Sequence, residues 1–290
     1  MVTIVQTLLN GISNGGVYCL VAVGLTMIVG VLKAVNFAQG DCLTIGMYLT
    51  LILQRVTGWD PFVLLIPVAL LTLLIGMGLF EVIIYPVMEK DKTTFTITTM
   101  GMSFVISTVI LLMFGSNPLN VNSVVKTTTL TFGAFSIAAP RVASFIVMGI
   151  SVIALNFFLR KTDLGRAMRA TAENKDVGQM LGIDTHKISR ITFSLGIMFA
   201  SVAGLLISPT YYLYPTTGSS FMIPAMCCVV IGGLGDVRGA VVGGMMIGIL
   251  EALIGTFISV DLSAGAAFLL LILVLIFKPN GLLGSGERIA

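Results

Sequence analysis

Four carboxylates stand in or beside strongly apolar stretches: Asp41, Glu81, Glu251 and Asp261. A carboxylate at the centre of a membrane helix costs about 2.5–3.5 kcal/mol on insertion scales. Such groups therefore face protein or a water-filled path, where they bind a proton, a cation or a polar solute. Asp261 falls at an interface. Asp41 is placed to cap the helix that follows it, because carboxylates suit helix N-termini. Glu81 is close enough to a helix end to reach headgroup water. Glu251 is the deepest, and either hydrogen-bonds to another helix or lines a polar path.

Little else in the chain points to chemistry. Cys19, Cys42, Cys227 and Cys228 lie in apolar runs without the spacings zinc requires, so they read as small packing residues. The single histidine, His186, leaves a histidine-based metal site without partners. No Gly-Lys dipeptide occurs, so the phosphate-binding G-x-x-x-x-G-K-[ST] loop is absent, as are G-x-S-x-G and HExxH. The chain reads as a non-enzyme with no cofactor and no metal. If ATP drives it, hydrolysis takes place on another chain.

A glycine-rich stretch at 231–244 contains a G-x-G pair, but no soluble βαβ unit surrounds it and its spacing is wrong for a dinucleotide. Gly239/Gly243 and Gly244/Gly248 are instead small-xxx-small pairs that let membrane helices approach closely. With Gly232, Gly233 and Gly235 they suggest a broken helix, one half ending near Gly235 and the next starting near Gly239.

The elements that must position these residues follow from composition. Only 10% of the 290 residues are charged, 57% are apolar, and the mean hydropathy is +1.06. A soluble domain carries roughly 25% charged residues, so lipid must face most of this surface. The net charge of +3, without a basic block, excludes a nucleic-acid partner. Met1 to Leu32 holds no Lys or Arg, so it lacks the positive start of a cleavable signal and reads as a retained span. Apolar runs and their breakers predict nine segments, near 7–31, 40–54, 61–84, 94–115, 141–159, 190–209, 221–235, 239–258 and 262–277. The expected fold is all-α, a polytopic bundle of eight or nine membrane segments forming one domain over 1–290.

Basic residues orient it. With Met1 outside and Ala290 inside, the inside receives Lys33, Lys90, Lys92, seven residues of 160–190, Arg238, Lys278 and Arg288. The outside receives Arg55, Lys126 and Arg141, which is 13 against 3. The segment 160–190 is the longest polar stretch. Its 165–181 portion has helical character and Gly182 ends it. A connector needs only about 2–8 residues, so this one reads as a docking element on the cytoplasmic face.

Three stretches carry a resemblance over nearly the whole chain. They are LLNGISNGGVYCLVAVGLTMIVGVLKAVNFAQGD at the start, RATAENKDVGQMLGID in the polar loop, and VVIGGLGDVRGAVVGGMMIGILEAL with FKPNGLLG near the end. The chain resembles the LivH-type permeases of bacterial branched-chain amino acid ABC importers. That resemblance implies a second, LivM-like permease, two cytoplasmic ATPase subunits and a periplasmic solute-binding protein. It assigns 160–190 to ATPase coupling, through Arg166, Ala170, Glu173, Asn174, Leu181, Gly182 and Ile183. The family often has His where Gln39 stands, which counts against a protonation role there and leaves hydrogen bonding.

Spans one to four and six to nine run with opposite signs, and each set has its short member second. This is the pattern of an inverted repeat with the fifth span as linker. Matching short segments point to a solute path near Asn36, Gln39 and Asp41, with Glu251 a further candidate. Leucine, isoleucine and valine head the expected solutes. Urea or short amides, an ion-coupled carrier acting without ATPases, and an assembly subunit without a path are the alternatives.

Overall fold

The computed structural model describes residues 2–88, 90–123, 129–132, 135–263 and 265–283. Every apolar segment expected from the sequence is a helix. In order they are α1 (Val2–Leu32), α2 (Gln39–Thr57), and α3 (Leu65–Leu79), which runs through a π-helical turn, Phe80–Ile84, into α4 (Tyr85–Met88). Then come α5 (Lys92–Phe114), α6 (Ala139–Lys161), α7 (Asp163–Glu173), α8 (Lys175–Met180), α9 (Thr185–Ile207), α10 (Thr217–Gly232), α11 (Val237–Phe257), α12 (Val260–Ser263) and α13 (Ala266–Phe277). Among the described residues six helices are long and apolar enough to cross a bilayer, and α10 and α13 are shorter apolar helices. At 16 residues, α10 is ~24 Å long at 1.5 Å per residue, short of a ~30 Å hydrocarbon core. Among the described residues the one strand pair is an antiparallel hairpin before α6, β1 (Thr129–Phe132) with β2 (Phe135–Ala138), paired Thr129 to Ala138.

Helix burial sorts core from periphery. The most apolar window of α1 is 94% buried, whereas that of α6 is 11% buried, although both are equally greasy. Apolar content cannot separate two helices in lipid; packing of small residues does. α1 packs on α9, α10, α11 and α6, while α9 packs on α1, α2 and α3. At the α1/α9 crossing a Cβ on Gly24 would lie 2.5 Å from the Gly196 carbonyl oxygen, and one on Gly196 would lie 2.8 Å from that of Gly24. Gly40 of α2 and Gly218 of α10 are related in the same reciprocal way. Both crossings join elements that an inverted repeat would relate to one another, α1 with α9 and α2 with α10. The larger pairings agree with it: α1 lies on α11 as α9 lies on α3, and α1 meets α10 as α9 meets α2. This is the pairing pattern that an inverted repeat requires.

The glycine-rich stretch is a hairpin of two helices, as the separate segments 221–235 and 239–258 with Arg238 between them require, rather than one helix with a break. Gly232 packs on Gly239 and Cys228 on Gly243, so residue numbers rise on one helix as they fall on the other. Gly233 and Gly235, at φ 105° and 90°, make the reversal. Asp236 starts α11 by accepting hydrogen bonds from the backbone N–H groups of Arg238 and Gly239. Gly244 and Gly248 seat α1 through Cys19 and Gly15. The tail closes over this end, where Leu282 and Leu283 N–H groups donate to the Ile231 and Gly232 carbonyls at 2.8 and 3.1 Å. Those are carbonyls that a helix terminus would otherwise leave unpaired.

The bundle has two distinct ends. One carries α7, α8 and the α10–α11 turn. The other carries an antiparallel bridge between Leu119 and Leu213, with Ser123 donating to Asp60 at 2.7 Å. Lys126 and Arg288, counted in the charge asymmetry, lie outside the described residues.

Candidate functional site

Residues 160–190 form a capped helical platform at one end of the bundle. Each helix has its own polar start. Thr162 accepts from the Gly165 N–H at 3.0 Å, Asn174 from those of Asp176 and Val177 at 3.0 and 3.1 Å, and Asp184 from that of Lys187 at 3.0 Å. The helical portion expected over 165–181, as one helix or a pair, is a pair, divided where Asn174 restarts the chain. Gly182 ends the second at φ +80° with nothing near its missing Cβ, so backbone conformation rather than space requires glycine there.

α7 is fixed from above. A Cβ on Gly165 would lie 2.4 Å from the Phe158 carbonyl oxygen of α6. Met168, 2% exposed, seats beside Met27, Gly30 and Val31 of α1. The other side faces away from the bundle: Arg166, Glu173, Asn174, Leu181 and Gly182 are exposed, and Ala170 and Ile183 are partly buried. Met180 is 85% exposed, Leu181 73% and Val177 49%. Three apolar side chains presented together beyond the apolar segments are the mark of an interaction surface.

Beside this platform lies a groove of about 460 Å³, lined by Tyr85 and Met88 of α4 and by Lys175, Gln179 and residues 182–186. At its edge stands Glu81, expected in headgroup water but found paired with Arg190 and beside His186. Arg190 Nη1 donates to Glu81 Oε1 at 2.9 Å, and His186 Nε2 lies 3.4 Å from Oε2. The π-helical turn occupies 80–84, an irregularity often tied to function. The histidine ring also meets Tyr85 edge-on at 4.4 Å. Sequence reasoning passed over Arg190 and His186 because their partner is more than a hundred positions away.

The proposed path residues at the α1–α2 link are buried and mutually bonded. The Ala38 N–H donates to Asn36 Oδ1 (3.1 Å), Asn36 Nδ2 to Gln39 Oε1 (3.2 Å) and Gln39 Nε2 to the Gly196 carbonyl (2.9 Å). The Phe37 N–H donates to Thr99 of α5 at 3.2 Å. Asp41 does not cap α2, whose N-cap is Ala38 without a side-chain bond. Instead its carboxylate accepts from Ser107 at 2.8 Å and from Ser103, both on α5. The i, i+4 spacing of those serines was the available signal.

Glu251 is separate from this cluster. It lies on α11, half-buried, with its carboxyl group against the Tyr18 hydroxyl of α1 and one oxygen buried without a hydrogen-bond partner among the described residues. Tyr18 and Tyr211 both meet Phe221, with ring centroids 5.8 and 6.0 Å apart. Of the four path candidates the structure thus joins Asn36 and Gln39 directly, holds Asp41 beside them on α2, and places Glu251 elsewhere.

The family model described as the branched-chain amino acid transport system permease component matches residues 7–277. The chain belongs to this family. Similar members include the high-affinity branched-chain amino acid transport permease LivH of Escherichia coli, 32% identical over 97% of this chain and 96% of the relative. BraD of Pseudomonas aeruginosa is 31% identical over the same shares. Among solved structures, PsaBC from Streptococcus pneumoniae in complex with Fab superposes with a TM-score of 0.51 at 12% identity, covering 93% of this chain and 91% of that one. That likeness shows a shared fold. As a family member with several apolar spans, the chain is a multi-pass membrane permease component.

Proposed function

We propose that this chain is one of two permease subunits of an ATP-driven importer for branched-chain or related small amino acids in the bacterial inner membrane. Its N-terminus lies outside and its C-terminus in the cytoplasm. The carrying observation is the exposed Val177–Met180–Leu181 surface on a platform anchored to α1, α6 and α9. A carrier powered by its own ion sites needs no such platform; a permease driven by separate ATPase subunits does. The orientation is supported by the 13-to-3 charge asymmetry, which makes the platform end cytoplasmic. The solute class rests on the family and on LivH and BraD, whose names state branched-chain amino acids.

A periplasmic binding protein delivers the solute and a second, LivM-like permease completes the path. The closed hydrogen bonding of Asn36 and Gln39 supports this arrangement, since a passage through a single chain would have to break it. Glu251, with one oxygen lacking a partner among the described residues, is the polar group left for a passing solute, while Asp41 offers itself only by giving up a serine. Binding-protein-dependent uptake of labelled leucine, isoleucine, valine and urea by vesicles holding the full complex tests the solute class. Uptake of the three amino acids is expected. Uptake of urea with none of the amino acids would replace this reading by an amide importer.

A further inference from the structure

From the Glu81 cluster we infer a transmission joint: Glu81, Arg190 and His186 bind α3 to α9 so that movement of the coupling platform reaches both helices together. The inference rests on the ATP-driven reading above and adds how a stroke would divide inside this chain.

The platform leads directly into α9, because Asp184 caps the helix that contains His186 and Arg190. A pull on 160–184 therefore reaches α9 through covalent chain. It has no such route to α3, which precedes the platform by some hundred residues. Along their buried length the two helices touch through small groups, with a Cβ on Gly76 coming 2.8 Å from the Ser194 backbone. Contacts of that kind hold helices by van der Waals packing alone. At the platform end charged and aromatic contacts are added. One carboxylate accepts Arg190 on one oxygen and faces His186 with the other, while Tyr85 and Phe80 hold the imidazole edge-on at 4.4 and 5.7 Å. Arg190 and Glu81 are each about one-third exposed, so the pair sits at the rim of the groove rather than in bulk water. The π-helical turn starts one residue before Glu81, an irregularity often found at functional sites. The groove therefore has α4 on one wall and the α8–α9 junction on the other, with this joint between them. A partner seated there would press on both walls at once.

These are positioning residues, and the test follows coupling rather than activity alone. The complex with both permeases, both ATPases and the loaded binding protein is reconstituted with wild type, E81Q, R190E and the double variant E81R/R190E. In E81Q and R190E the ATPases should stay bound and hydrolyse ATP, while ATP spent per solute rises about tenfold, within the roughly 5–150-fold range of site-to-site coupling. E81R/R190E should recover most of the wild-type ratio. Spin labels at Met88 and Gln179, on opposite walls of the groove, supply a second measurement. Their separation should hold through the ATP cycle in wild type and change in E81Q. An unchanged ratio in E81Q, no recovery in the double variant, or walls that part in wild type would each overturn the joint. Failure of the ATP-driven reading looks different: wild type would import nothing on adding ATP.

Discussion

Gly46 brings α2 so close to α9 that a Cβ there would lie 2.0 Å from the Ser201 carbonyl oxygen, with backbone on both sides of the clash. Gly46→Ala should therefore destabilise the detergent-solubilised protein by about 1–3 kcal/mol, the usual cost of overpacking, seen as a lower Tm. Gly182 has open space around it but a left-handed backbone. Gly182→Ala should cost about 1–2 kcal/mol through conformation alone, with the bundle's Tm nearly unchanged because the loop lies outside the core. A Tm fall in the second as large as in the first would mean that Gly182 is packed rather than turned. Asp41→Asn replaces one of two acceptor oxygens facing Ser103 and Ser107, so one charge-assisted bond becomes a weaker one in which a serine hydroxyl accepts from the amide. A loss of about 1–3 kcal/mol is expected, with reduced uptake at normal ATPase association. Wild-type uptake and Tm would reduce Asp41 to a tolerated packing group.

Among the helices, hydropathy located all nine apolar segments, since a run of some twenty apolar residues reports directly on the solvent around it. The platform was also legible, through a glycine stop at 182 and alternating small and charged residues. What the sequence withheld was pairing. Nothing local in FEVII or THKISR announces that Glu81 meets Arg190, and nothing in GGLGDVRG says which residues of the two helices it joins come into contact. Those outcomes depend on which surfaces become neighbours after packing. Asn174 illustrates the difference: the resemblance gave it a coupling role, whereas its geometry is that of a cap dividing α7 from α8. Asn174→Ala should cost about 1 kcal/mol of α8 stability, seen as faster amide exchange across 175–180 with α7 unchanged. Equal loosening of both helices would show that they fold as one.

At the scale of the whole molecule, two buried helices, α1 and α9, meet at a glycine pair, and each recruits its partners in matching order. The peripheral helices face lipid or other subunits. Polar groups in the centre are bonded to one another, while the exposed apolar groups of the platform stand outside the bundle. We propose that energy reaches this chain through residues 160–190 from ATPases on other chains. The most direct measurement is solute uptake by vesicles holding this chain with and without its ATPases, with no ion gradient imposed. Uptake that requires both ATP and the ATPases is the expected result; uptake by this chain alone on an imposed proton or sodium gradient would contradict the account.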